Sequence, residues 1–346
     1  MYYDDRRPPG SLLSWEALAA YTPLHLGWAG EEAVLVFFVL SGVVLAGPLA
    51  RGVAVSWPGY YARRVVRLYV PVVGAVVVGY AVVLLLPRPG ASAESAWLAA
   101  RPPLASVSDA LRDVTLVGGV SRVISPLWSL QWEVIFSLAL PVVVLLARRA
   151  VRHRVVAVVA MLAVSTLGAL GGSQALLYLP VFGLGALVGA DDRLLRPRTV
   201  TTGRLHWVAA ATVTALLLAL YWMLRPWTES PLLHGATRPF VITGAVLSVV
   251  LAAGWAPART LLTTPVLQWL GRLSFSLYLV HEPVVIAFAA TGGDPVVVVL
   301  AAVGVSVLLA WVFFHLVEGP SHRLAKRAGA AVERRASTRT APVTTT

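Results

Sequence analysis

The chain has 346 residues, of which 58% are hydrophobic and 13% charged, where an average soluble domain carries roughly 45–50% apolar and about 25% charged residues. Long apolar runs separated by short basic segments exclude a soluble globule and describe a polytopic membrane protein. The net charge of +12 comes from arginines spread between those runs and not gathered on one face, so it argues against nucleic acid as a partner, and the absence of cysteine excludes disulfides, thiolate metal sites and a cysteine nucleophile.

In chain order, residues 1–30 carry no apolar signal run and read as an extramembrane segment. Residues 31–318 form the membrane part. In lipid every backbone polar group must be satisfied within its own segment, so apolar stretches of about 17–25 residues are read as helices. Nine are expected, over 33–50, 69–86, 127–147, 155–172, 175–190, 205–224, 239–255, 273–291 and 296–317. The fold class is therefore an all-α helical bundle. The pair around Ser173 is kept as two spans, although Gly168, Gly171, Gly172 and Pro180 also fit one broken helix. Between the second and third spans, Trp97, Asp109 and Asp113 either cap the bundle or meet an external substrate. Residues 319–346, rich in Arg, Ala, Ser and Thr, read as a basic, disordered tail that touches anionic lipid headgroups.

Most of the 28 Lys and Arg residues fall on one side of these spans: Arg51, Arg63, Arg64 and Arg67, then Arg148, Arg149, Arg152 and Arg154, then Arg193, Arg196, Arg198 and Arg204, and finally the tail. That side is cytoplasmic by the positive-inside rule, which puts the C-terminus in the cytoplasm. An odd number of spans leaves residues 1–30 outside despite Arg6 and Arg7, an awkward topology that one further upstream helix would cure.

Polar groups inside a span cost several kcal/mol unless paired, so each is a functional candidate. Glu133 lies near the start of the third span, about 100° round the helix from Trp132, where Trp128 and Trp132 form an aromatic belt. It suits either the helix dipole or a functional role. Ser274, Tyr278 and His281 fall on one helical face, presenting a hydroxyl, a phenol and an imidazole. Ser41-Gly42 permits a backbone or a ligand to come close in mid-membrane. Arg63 and Arg67 share a face and, with Arg64, either anchor the topology or form a fork for phosphates.

Five motifs then stand in order: Phe37-Phe38-Val39-Leu40-Ser41-Gly42, Arg63-Arg64-Val65-Val66-Arg67, Leu127-Trp128-Ser129-Leu130-Gln131-Trp132-Glu133, Leu273-Ser274-Phe275-Ser276-Leu277-Tyr278-Leu279-Val280-His281-Glu282-Pro283 and Val317-Glu318-Gly319-Pro320. Together they resemble the acyltransferase-3 family of bacterial integral-membrane acyltransferases, over about residues 30–322. The resemblance implies about ten helices and transfer of an acyl group, often acetyl, from a cytoplasmic acyl-CoA-type donor to a hydroxyl of a sugar, glycolipid or secondary metabolite, without a metal. By the same carry-over Arg63, Arg64 and Arg67 receive the donor's phosphates, Ser41 lines the acyl passage, and Glu133 and His281 sit in the membrane core or near its outer face. The family's first helix carries an arginine, ten intervening residues and a histidine. Here Ser14 stands where that arginine would precede His25, so His25 reads as an external loop histidine and the chain as lacking the family's first helix.

Acyl transfer to an alcohol needs a base for the hydroxyl proton and a donor for the oxyanion. The expected arrangement is a histidine base oriented by a carboxylate such as Glu133, with His281 or Tyr278 on the acyl carbonyl. It predicts that His281→Ala and Glu133→Ala abolish transfer in a folded protein. The alternatives are a transporter or flippase, and a non-catalytic relative without the first-helix histidine.

Overall fold

A computed structural model describes residues 15–86, 98, 106–116, 118–196, 204–228, 230, 232–291 and 293–340, and these are helical apart from turns and connections. Each predicted span corresponds to a helix. In chain order the helices are α1 (Trp15–Tyr21), α2 (Gly30–Ala50), α3 (Trp57–Leu85), α4 (Val107–Thr115), α5 (Leu127–Ala150), α6 (Arg154–Leu170), α7 (Gln174–Ala190), α8 (Arg204–Leu224), α9 (Leu233–Gly254), α10 (Ala256–Leu262), α11 (Pro265–Ala289), α12 (Pro295–Phe313) and α13 (Gly319–Thr340). Seven helical segments among the described residues are long and apolar enough to cross a membrane; one of them, Leu127–Leu170, contains both α5 and α6, and α7 is apolar but only 17 residues long. The break at Ser173 is real, so the fourth and fifth spans are separate helices.

Polar caps set several helix starts. Ser56 accepts from the Gly59 N–H ahead of α3, and Asp294 accepts from the Val296 and Val297 N–H groups ahead of α12. Prolines 48, 71, 141, 180, 239 and 283 all lie inside helices, a placement that membrane helices tolerate because neighbouring groups satisfy the freed carbonyls.

The chain forms two compact units. One comprises residues 5–54 and 135–264, the other residues 55–134 and 265–346 with the first four residues. In the first unit, α2 packs closely along α7. The rings of Phe38 and Phe136 stack on Phe182 with centroids 4.3 and 4.5 Å away. Gly42 resolves the question its motif raised: what approaches it is the α7 backbone. A Cβ at Gly42 would stand 2.7 Å from the Ala186 nitrogen and 2.9 Å from the Gly185 Cα, and Gly47 meets Gly189 in the same way at 2.9 Å. Gly42→Val is therefore expected to destabilise the protein by about 1–3 kcal/mol through overpacking, measured as a lower midpoint of thermal unfolding in detergent.

In the second unit, Leu68, Val72 and Val76 of α3 meet Leu279 and Val280 of α11 and Phe313 of α12 in one apolar core. Asp113 is fully buried beside it and accepts from the Ser121 N–H and hydroxyl, each at 2.5 Å, and from the Tyr80 hydroxyl at 3.2 Å. It ties α4 and the following loop to α3, while Ser106 caps α4, accepting from the Asp109 N–H and donating to the Asp109 carboxylate. Trp97 lies outside the described residues. Burial raises the Asp113 carboxyl above its ordinary value, the Ser121 and Tyr80 hydrogen bonds only partly opposing this. The folded state then holds its proton more tightly than the unfolded one, so this group's contribution is full below the ordinary carboxylate range and is lost as pH rises through the elevated value. Asp113→Asn, whose amide can serve the same hydroxyls, should flatten that slope in pH-dependent unfolding.

The tail corrects an expectation. Residues 319–340 continue as helix α13, reached through a π turn over Phe314–Glu318. α13 packs along α3, Glu333 pairs with Arg63 at 2.7 Å, and Gly329 lies against the Arg63 side chain. Low hydrophobicity was read as disorder, but Ala, Arg, Lys and Glu are good helix formers and docking on a neighbour supplies what burial does not.

Candidate functional site

In the first unit the polar groups gather around the histidine ahead of α2. Thr22 caps a short 3-10 turn, Pro23–Gly27, by accepting from the Leu24 N–H, and this turn delivers His25 to the interior. His25 lies in this turn ahead of the first span, but its side chain is buried, at 7% exposure. Its ring stacks on Trp222 of α8 with centroids 4.0 Å apart and planes 26° apart, and Trp28 meets it edge-on at 5.8 Å. The Trp222 indole N–H donates to Glu32 at 3.0 Å, and the Arg225 guanidinium lies 5.3 Å from the same indole ring. Burial first, and the Arg225 charge second, hold the His25 imidazole below its ordinary pKa. It is thus neutral at physiological pH, and its Nδ1 is buried without a hydrogen-bond partner among the described residues.

Behind this ring lies a charged cluster. Arg238, buried at 3% exposure, donates to Glu31 at 2.5 Å and contacts the imidazole of His234, which is itself 3.6 Å from Glu31. The span expected over 239–255 starts one residue after Arg238. α9 begins at Leu233 instead, with Pro239 inside it. The available signal was the spacing of His234 and Arg238, four residues apart and so on one helical face.

The second unit holds the other candidates. Ser125, Ser129 and Glu133 follow one another at intervals of four, and each cross-links a neighbouring helix. Ser125 donates to Glu282 through its hydroxyl at 2.6 Å and its N–H at 2.5 Å. Ser129 donates to the Pro126 carbonyl at 3.1 Å and accepts from the Tyr278 hydroxyl at 2.8 Å. Glu133 is buried and pairs with Arg64 of α3. The partner seen for this carboxylate is thus a guanidinium. Trp132, expected in a lipid-facing belt, is buried. His281 turns to its own helix, its Nδ1 donating to the Leu277 and Tyr278 carbonyls at 3.0 Å, which leaves Nε2 as the acceptor nitrogen. Ser274, taken as part of the same stripe, is exposed and bonds the Gly271 carbonyl.

The three arginines diverge. Arg64 turns inward to Glu133, Arg63 reaches Glu333, and Arg67 is exposed, its charge acting on Glu318 and His322. Glu318 accepts from the buried Ser276 hydroxyl at 2.5 Å and lies 3.6 Å from His322, so the last sequence motif anchors α12 and α13 to α11. Ser41 is buried on α2 next to Gly42.

Apolar helices enclosing buried, paired charges define a multi-pass integral-membrane protein. Residues 9–315 match the acyltransferase-3 family, described as an acyltransferase domain, and the chain belongs to that family. The match takes in α1 and His25, so the segment ahead of α2 is part of the family domain. Acyltransferase MdmB of Streptomyces mycarofaciens is 30% identical over 126 residues, covering 36% of this chain and 31% of that relative. No solved structure matches the chain.

Proposed function

We propose that this chain is an acyltransferase of the plasma membrane, C-terminus in the cytoplasm, that moves an acyl group from a cytoplasmic acyl-CoA-type donor to a hydroxyl of a sugar, glycolipid or secondary metabolite. Acetyl is the simplest group it would carry. The observation that supports this reading is His25, a buried and neutral imidazole with an uncommitted Nδ1, in a chain of an acyltransferase family. A neutral imidazole can take the acceptor's hydroxyl proton as its oxygen attacks the thioester carbonyl. The C–O bond forms, the C–S bond breaks, and the departing thiolate recovers the proton from the imidazolium, giving ester and free thiol.

For the donor, Arg67, exposed on α3, and Arg63, half-buried in its pair with Glu333, suit phosphate groups, whereas Arg64 serves Glu133. In the second unit, the Nε2 of His281 and the Tyr278 oxygen, whose proton goes to Ser129, can each accept from a hydroxyl. The experiment supplies acetyl-CoA carrying a 13C-labelled acetyl group to membranes containing the chain and follows hydroxyl compounds by mass spectrometry. Labelled, alkali-labile esters that require the chain are expected; movement of an unmodified compound across the membrane, with no ester formed, supports the transporter instead.

A further inference from the structure

We propose that Glu32 is a positioning residue for His25, acting through the indole of Trp222. This rests on His25 being the base. A base must hold one orientation toward the proton it removes, and a stacked ring alone permits rotation in its own plane and sliding across its partner. Here the partner is itself fixed. The Trp222 N–H donates to Glu32 Oε1 at 3.0 Å, the Arg225 guanidinium stands 5.3 Å from its ring centroid, and Tyr221 meets it edge-on at 5.2 Å. The imidazole then lies on the indole at 4.0 Å with Trp28 at its edge.

Glu31 and Glu32 both sit in the first turn of α2, where a carboxylate suits the helix dipole, but their surroundings separate them. Glu31 has a side chain 39% exposed and answers Arg238. Glu32 is 5% exposed and receives the indole N–H. A partly buried indole N–H that loses its acceptor turns toward another, and the stack on His25 turns with it. Glu32 thus sets the imidazole's place without touching substrate.

The test uses the full chain in lipid nanodiscs with two readouts. Diethyl pyrocarbonate modifies unprotonated imidazoles, and peptide mass spectrometry gives its rate at each histidine; release of CoA from acetyl-CoA gives kcat and KM. Glu32→Gln, which keeps an amide oxygen for the indole, should stay within about twofold of wild type in both. Glu32→Leu and Trp222→Phe should raise modification of His25 alone and lower kcat by about tenfold, with the donor KM held, because displacement of about 1 Å at a reacting group costs rate and not donor binding. Unchanged His25 modification and kcat in both variants overturns the proposal. So does equal acceleration at His234 and His281, which would show general loosening; Trp222→Phe keeps the question open to measurement if Glu32→Leu does not fold. Turnover retained in His25→Ala removes the base itself, and the modification rates then decide the positioning separately.

Discussion

His25→Ala is expected to lower turnover by about 10²–10⁴-fold, the contribution of a positioned general base, while leaving the KM for acetyl-CoA within about twofold because the arginines proposed for the donor are untouched. Its pH profile should carry the same signature. The imidazole works as a base only when unprotonated, and burial together with Arg225 holds its pKa below the ordinary histidine value. Activity in the wild type therefore persists to lower pH than an exposed histidine would allow. Arg225→Gln removes one of the two causes and should move the acid limb toward higher pH. Stability follows the same linkage: the unfolded chain binds a proton that buried His25 resists, so the contribution of this group is lost as pH falls through the ordinary histidine range.

Glu133→Ala is expected to cost about 3–5 kcal/mol of stability, the penalty for taking the partner from a buried charge. The side chains of Arg64 and Glu133 are 12% and 7% exposed, and removing the carboxylate takes an ion-pair partner from a largely buried guanidinium in the second unit. This revises the expectation that the same change would leave a folded, inactive enzyme. Denaturation in detergent checks it through a double-mutant cycle. Arg64→Met and Glu133→Leu should each be strongly destabilising, while the two combined should recover much of the loss, since an apolar pair replaces an ion pair at little net cost. Losses that simply add would show that the two side chains are not energetically coupled.

Helices were largely legible because lipid imposes one rule on every span, that apolar length must satisfy its own backbone. The partners of polar side chains were not. Glu32 and Trp222 lie 190 positions apart, and Arg64 and Glu133 lie 69 apart, so no local period joins them. What a local period did contain was partly misassigned. The Trp128–Trp132 spacing was given the weight in α5, when the polar residues at Ser125, Ser129 and Glu133 make its contacts with α3 and α11. His25 was read through the position of Ser14, which lies outside the described residues; its burial comes from Trp222, which the span count treated only as apolar filling. Residues 319–340 failed for a related reason, because the contact of Gly329 and Glu333 with Arg63 is a tertiary fact.

As proposed, this chain cleaves an acyl thioester with His25 as the base. Free CoA released from acetyl-CoA by the purified full chain in lipid nanodiscs, wild type against His25→Ala, measures it directly when a mixture of hydroxyl-bearing membrane extracts supplies the acceptor. Release should depend on both the extract and His25, with the label recovered as an ester. Equal release by wild type and His25→Ala would contradict it.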